Sequence, residues 1–157
     1  MNRINVVSLC DGISCLRLSL EELGYKIGNY YSSEIDKSAN SISRFNYENI
    51  EIGDVTKVTE EMVKDFGSID IIGFGSPCQS FSKLGNGNGF EGKSGLFYDC
   101  MKVTRWVKRY NPNVKVLVEN VVMKKEWEDE ITKCLKIVFD DIEVTKLNSK
   151  DFSVQNT

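Results

Sequence analysis

The sequence predicts an α/β protein with a doubly wound, mostly parallel sheet. Two observations carry that expectation. Short apolar runs alternate with helical patterns from end to end, at the spacing of strand–helix–strand units. The chemically informative residues fall just after the strands, where open sheets of this kind bind ligands. A chain of 157 residues, 41% apolar and 27% charged with 12 Gly and 2 Pro, has globular composition. At that length roughly 68–70% of the unfolded surface can be buried, enough for a single core.

The elements follow in order. Ile4 to Leu9 is a short apolar strand that ends at Asp11-Gly12. Leu16, Leu20 and Leu23 recur at helical spacing between Ser14 and Leu23, and Gly24 sits where a C-terminal cap belongs. Tyr30 to Ser33 reads as a second strand, and Asp36 to Phe45 as a helix carrying Ala39, Ile42 and Phe45. Ile50 to Ile52 is a third strand, closed by Gly53-Asp54. Thr59 caps a helix with Glu60 and Glu61 in its first turn, where the dipole favours acids, and Gly67 ends it. Ile69 to Phe74 is almost wholly apolar, as a central strand should be. A Gly-, Asn- and Ser-rich loop runs from Gly75 to about Ser94. The longest helix then buries Leu96, Phe97, Cys100, Val103, Thr104 and Val107, and Asn111-Pro112 stops it. Val114 to Val118 is a fifth strand. Trp127, Ile131, Cys134 and Leu135 line another helix, and Ile142 to Leu147 alternates like a sixth strand.

Composition also excludes chemistry. There is no histidine, so Ser-His and Cys-His triads and His-ligated metal sites are ruled out within the chain, and no metal site is expected. Net charge is -3, from 20 basic and 23 acidic residues, so the whole chain lacks a basic nucleic-acid footprint. Five cysteines, an odd number with no Cys-x-x-Cys pair, and no signal peptide suggest reduced thiols in a cytoplasmic compartment. No apolar run approaches the ~20 residues of a membrane helix, and no membrane partner is expected.

The loop residues suggest a nucleoside site. Gly12 permits a tight turn into a helix N-terminus, whose N–H groups are free donors. Glu34 follows about 20 residues later, suited to the hydroxyls of a ribose, and Asp54 repeats the arrangement one strand on, suited to an adenine amino group. Each acid alone also reads as an exposed strand-end carboxylate. The turn lacks a full Gly-x-Gly-x-x-Gly pattern and a phosphate-binding lysine, which favours a cofactor without phosphates. Cys78, after Pro77, reads either as a nucleophile near backbone donors or as a structural thiol; Cys100 and Cys134, on apolar helix faces, read as structural. Glu119 ends the fifth strand. In the usual strand order it would neighbour Cys78, and thiol and carboxylate would share a pocket.

Taken together, Gly75-Ser76-Pro77-Cys78-Gln79-Ser80-Phe81-Ser82 and Glu119-Asn120-Val121 resemble signature segments of DNA cytosine-5 methyltransferases. So do Ser8-Leu9-Cys10-Asp11-Gly12-Ile13, Ser33-Glu34-Ile35-Asp36, Gly53-Asp54-Val55 and Ser94-Gly95-Leu96-Phe97, in matching order over nearly the whole chain. The Asp-Gly-Ile turn and Gly-Ser-Pro-Cys are closest in style to the branch containing the animal de novo enzymes.

The resemblance implies a Rossmann-like, S-adenosylmethionine-dependent methyltransferase fold over a single domain, residues 1–157. It implies a double-stranded DNA substrate whose target cytosine is flipped out. Cys78 is the expected nucleophile toward ring carbon 6, and Glu119 the residue that holds and protonates ring nitrogen 3. Asn120 would orient the strand end and the Cys78 loop. Cys10, Asp11, Gly12, Ile13, Ser14, Cys15, Glu34, Ile35, Asp54, Val55, Pro77 and Leu96 would bind S-adenosylmethionine. Gln79, Ser80, Ser82 and Lys83, in the loop over 79–94, would contact DNA.

The chain also departs from the family pattern. Cys10 stands where the family has an aromatic residue, and Ser14 and Cys15 where it has small ones. Ser153 to Thr157 resembles the start of the family's Gln-x-Arg-x-Arg segment, but the chain ends before those arginines. The recognition region, final strand and C-terminal helix are expected to be missing. The expectation is therefore an N-terminal catalytic portion, as one half of a split enzyme or a fragment. Its partner would be a complementing C-terminal chain or a second copy, joined at an exposed edge near Ile142 to Leu147. Restriction-modification or phage self-protection, in a bacterial or phage-infected cell, is the expected setting. The alternative is an inactive homologue that acts by binding.

Overall fold

Five parallel strands form one sheet in the order β3-β2-β1-β4-β5. The strands are β1 (Arg3–Leu9), β2 (Lys26–Ser33), β3 (Ile50–Glu51), β4 (Ile71–Phe74) and β5 (Lys115–Val118). The helices are α1 (Cys15–Glu22), α2 (Lys37–Asn46), α3 (Glu60–Asp65), α4 (Leu96–Tyr110) and α5 (Lys125–Lys136), with a 3-10 turn at Val55–Lys57. The computed structural model describes residues 3–76 and 95–148. It divides into two compact units, Met1–Val121 and Val122–Thr157.

In the first unit the chain winds outward from β1 in both directions, so the switch point lies between β1 and β4. β1 is buried on both faces, with Val6, Val7 and Leu9 at 0% exposure, as its continuous apolar run requires. Alternate residues sort to opposite layers. Val6 and Tyr30 pack with Leu20 and Leu16 of α1. On the adjacent β2 position Tyr31 stacks on Phe66, ring centroids 4.2 Å apart, and donates its hydroxyl to the Phe66 carbonyl. Phe97 of α4 meets Phe74 of β4.

Local chemistry sets the helix ends. Gly24, at φ +85°, closes α1: its N–H donates to the Glu21 carbonyl and that of Tyr25 to Leu20, the paired bonds of a Schellman turn. Asp36 caps α2 by accepting from the Ala39 N–H, and Thr59 caps α3 by accepting from the Met62 N–H. On α4 the buried residues are Phe97, Cys100, Met101, Val103, Thr104 and Val107. Ile42 and Phe45 of α2 are exposed, Phe45 by 90%.

At the amino end of the sheet the Asn5 side chain ties three segments together. It accepts from the Asn29 N–H and donates to the Ser68 carbonyl, while the Asn5 N–H donates to Asp70. Gly28 makes room for it: a Cβ there would lie 2.3 Å from Asn5 Oδ1. Gly28→Ala should therefore displace the amide, and we expect a loss of about 1–3 kcal/mol, read as a lower urea midpoint.

In the second unit, α5 buries Ile131, Cys134 and Leu135, and Lys146 pairs with Glu128 at 2.9 Å. The sixth strand expected at Ile142 to Leu147 is not formed. Alternation alone does not make a strand; it needs a neighbour to hydrogen-bond and a face to bury. Val144 and Leu147 are 54% and 73% exposed, so neither condition is met. Among the described residues the sheet ends at β5, and the edge expected at Ile142 to Leu147 belongs instead to Lys115–Val118.

Candidate functional site

The chain leaves β1 through a turn of alternating handedness. Cys10, Gly12 and Ser14 have φ of 53°, 59° and 67°. Only Gly12 adopts this region without cost, so two non-glycine residues are held there by their surroundings. The hydrogen bonds show how. The Asp11 carboxylate accepts from the Tyr30 hydroxyl at 2.7 Å, the Ser14 hydroxyl at 2.6 Å and the Ser32 hydroxyl at 2.8 Å. A serine hydroxyl has one proton, and that of Ser14 goes to Asp11. Ser14 Oγ must then accept from Ser43 and from Asn49, and the Asn49 carbonyl accepts from Arg17. Burial and the Asp11 charge keep the Tyr30 phenol protonated well above its ordinary range.

This network was not visible in the sequence. Its members are scattered over five segments, and no local pattern joins them. It also changes what Asp11 and Ser14 can offer a ligand. Ser14 is fully buried and the Asp11 carboxylate is committed to three hydroxyls, so the turn presents mainly backbone.

Glu34, directly after β2, faces the same turn. Its carboxylate accepts from the N–H groups of Gly12, Ile35 and Asp36 at 2.7–2.8 Å. A carboxylate has about four acceptor positions, which leaves one for a ligand. Asp54, after β3, uses one oxygen to accept the N–H and hydroxyl of Thr56. The Thr56 N–H is the main reason its carboxyl lies below the ordinary range. The negative charges of Glu34 and Asp54 both act on the Cys10 thiol, so the three residues share one region. Ile13 and Ile35 are exposed beside it, whereas Val55 is buried at 4% and contributes to the core. Leu96 opens α4 and is half-buried.

A cleft of about 340 Å³ opens at the carboxyl ends of β1, β4 and β5, within the size range of small-ligand sites. Cys10, Asp11, Cys15, Phe74, Gly75 and Glu119 line it, and no Lys or Arg does among the described residues. Glu119 is placed by the sheet: its N–H continues the parallel pairing to the Phe74 carbonyl at 3.0 Å. Gly75 lets the carboxylate lie against the end of β4, since a Cβ there would meet Glu119 Oε2 at 3.0 Å. Gly73 does the same for α1, whose Leu16 would be 2.4 Å from an added Cβ.

Asn120 turns the chain after Glu119. Its side-chain carbonyl accepts from the Val121 N–H, and its amide makes a long, 3.4 Å contact to the Ser76 hydroxyl. That contact joins the end of β5 to the segment entering Pro77 and Cys78. Pro77, Cys78, Gln79, Ser80, Ser82 and Lys83 lie outside the described residues.

The chain is similar in sequence and in fold to known proteins. A family model described as C-5 cytosine-specific DNA methylase matches residues 4–154. The type II methyltransferase M.HhaI of Haemophilus parahaemolyticus is 37% identical over 119 residues, covering 75% of this chain and 34% of that protein. The type II methyltransferase M.NlaIV of Neisseria lactamica is 31% identical over 171 residues, covering 98% of this chain and 39% of that protein. The crystal structure of S. pombe Dnmt2 methyltransferase superposes with a TM-score of 0.62 at 20% identity, over 86% of this chain and 40% of that one. The chain thus spans about a third to two-fifths of the relatives it matches.

Proposed function

This chain belongs to the C-5 cytosine-specific DNA methylase family, and from that premise we propose that it carries the cofactor-binding and catalytic portion of a DNA cytosine-5 methyltransferase. The observation that carries the proposal is Glu119, set by β4–β5 pairing over the glycine three residues before Cys78.

S-adenosylmethionine is the cofactor that this family requires, and the residues present suit it. The turn over 10–15 offers backbone donors but no base for a phosphate. Glu34 retains an acceptor position, Asp54 has a carboxylate oxygen without a partner among the described residues, and Ile13 and Ile35 offer exposed apolar surface. The cleft is bordered by acids, which favours a cationic ligand such as a sulfonium. When bound, the cofactor supplies the methyl group.

The chain's own residues do the rest. The Cys78 thiolate adds to carbon 6 of a flipped cytosine. Glu119 hydrogen-bonds and protonates ring nitrogen 3, so the electrons displaced by the thiolate accumulate at carbon 5. Once carbon 5 is methylated, loss of its proton returns electrons to the ring and expels the thiol. Asn120 positions Glu119 and, through Ser76, the approach to Cys78. Gln79, Ser80, Ser82 and Lys83 follow Cys78 directly and would meet the DNA.

Partner binding follows from the open edge. β5 is the last strand of the sheet among the described residues, and Leu117 on it is exposed by 55%. A complementing C-terminal chain or a second copy would pair there. The same exposed edge favours a second reading, a homologue that has lost catalysis and acts through binding.

Transfer of labelled methyl groups to DNA, by the chain alone and with a C-terminal fragment of a relative, tests the proposal. Incorporation at cytosine carbon 5 supports it. Self-association by light scattering without any calorimetric affinity for the cofactor supports the second reading. Gly75→Ala supplies a finer check. Displacing Glu119 by less than 1 Å should lower methyl transfer by up to about 100-fold, with the circular dichroism spectrum unchanged.

A further inference from the structure

We propose that Cys10 and Cys100 form a reversible disulfide, a redox-modification site built into the wall of the cleft. The two residues are 90 positions apart in sequence, yet their sulfurs lie 3.9 Å from each other. Cys10 lines the cleft and is half-buried, so a small oxidant can reach it. Cys100 is fully buried on α4, in contact with Cys10. Neither thiol takes part in the chemistry assigned above to Cys78.

The pair is also unequal. As a thiolate, Cys10 accepts from the Cys100 thiol, and this contact holds it below the ordinary thiol range, against burial and the charges of Glu34 and Asp54. The same contact, with burial, pushes Cys100 far up. Cys10, the member of the pair that lines the cleft, is the attacking thiolate, and the buried Cys100 the resolving thiol.

The oxidant is a hydroperoxide. The Cys10 sulfur attacks one peroxide oxygen; an S–O bond forms, the O–O bond breaks, and the departing oxygen takes a proton from solvent. The Cys100 sulfur then attacks the sulfenic sulfur. The S–S bond forms, the S–O bond breaks, and the oxygen leaves as water with the Cys100 proton. Two thiols lose two electrons, which hydrogen peroxide accepts in becoming two molecules of water.

Closing the sulfurs to about 2.05 Å draws the left-handed turn at Cys10 toward α4. This second part rests on the cofactor reading of that turn. Oxidation should then weaken binding at the turn, and reduction restore it.

The experiment treats the reduced full chain with hydrogen peroxide and maps its peptides without reductant. The expected product links the Cys10 and Cys100 peptides, disappears with dithiothreitol, and is absent from Cys10→Ser. S-adenosylhomocysteine titrated by calorimetry should bind the oxidised chain about tenfold more weakly. A linkage through Cys15 or Cys78 instead, or sulfinic acid at Cys10 with Cys100 still a free thiol, overturns the disulfide. A Cys10–Cys100 link in a chain whose reduced form has no affinity for the nucleoside supports the disulfide and overturns the cofactor reading. Tight nucleoside binding with no link does the reverse.

Discussion

Cys78→Ser should reduce methyl transfer by at least about 10⁴-fold, and Glu119→Gln by about 10²–10⁴-fold. The two losses differ in origin. Serine keeps the size of cysteine but is a far weaker nucleophile at neutral pH, so no covalent adduct forms. Glutamine keeps a hydrogen-bonding amide against ring nitrogen 3 but has no proton to give, so the adduct is not stabilised. If both residues act on one ring, the double variant should be little worse than Cys78→Ser alone. Single-turnover assays with labelled cofactor measure all three variants. A Cys78→Ser variant with undiminished transfer would remove the mechanism, and losses that simply multiply would separate the two residues.

The second large effect concerns stability. Asp11→Ala should lower the unfolding free energy by about 3–5 kcal/mol, a large part of the ~5–15 kcal/mol typical of a domain. The carboxylate collects hydroxyls from Tyr30, Ser14 and Ser32, all on well-buried residues. Removing it takes the present acceptor from three buried donors and frees Ser14 from the bond that holds its left-handed backbone. Asp11→Asn keeps one acceptor oxygen and should cost less than half as much. Urea midpoints for the two variants give the comparison directly. Equal, small losses would mean that the hydroxyls find other partners.

What could be read from the sequence was what local physics controls. The Thr59 cap, the Gly24 and Gly67 stops and the buried face of α4 depend on residues within a turn or two of each other. A doubly wound sheet gathers the residues after its strands at one edge, and β5 lies beside β4 as the usual strand order predicts. Contacts between distant segments were not legible. Nothing near Ser43 or Asn49 signals that they meet Ser14, and nothing near Cys100 signals Cys10. Ile142 to Leu147 failed for the opposite reason. Its alternation is a genuine local signal, but strand formation depends on a neighbour that periodicity does not report. The exposed Phe45 likewise shows that an apolar helix position is buried only where something covers it.

The hydroxyl network around Asp11 constrains how this chain can diverge. Positions 11, 14, 32, 43 and 49 share protons in a fixed direction, from Asn49 and Ser43 through Ser14 to Asp11, with Ser32 feeding the same oxygen. A change at any one reverses or strands a donor at the next. Descendant sequences should therefore exchange these five residues as a block, and a chimera that swaps β2 or α2 alone should inherit mismatched polarity even where its shape fits.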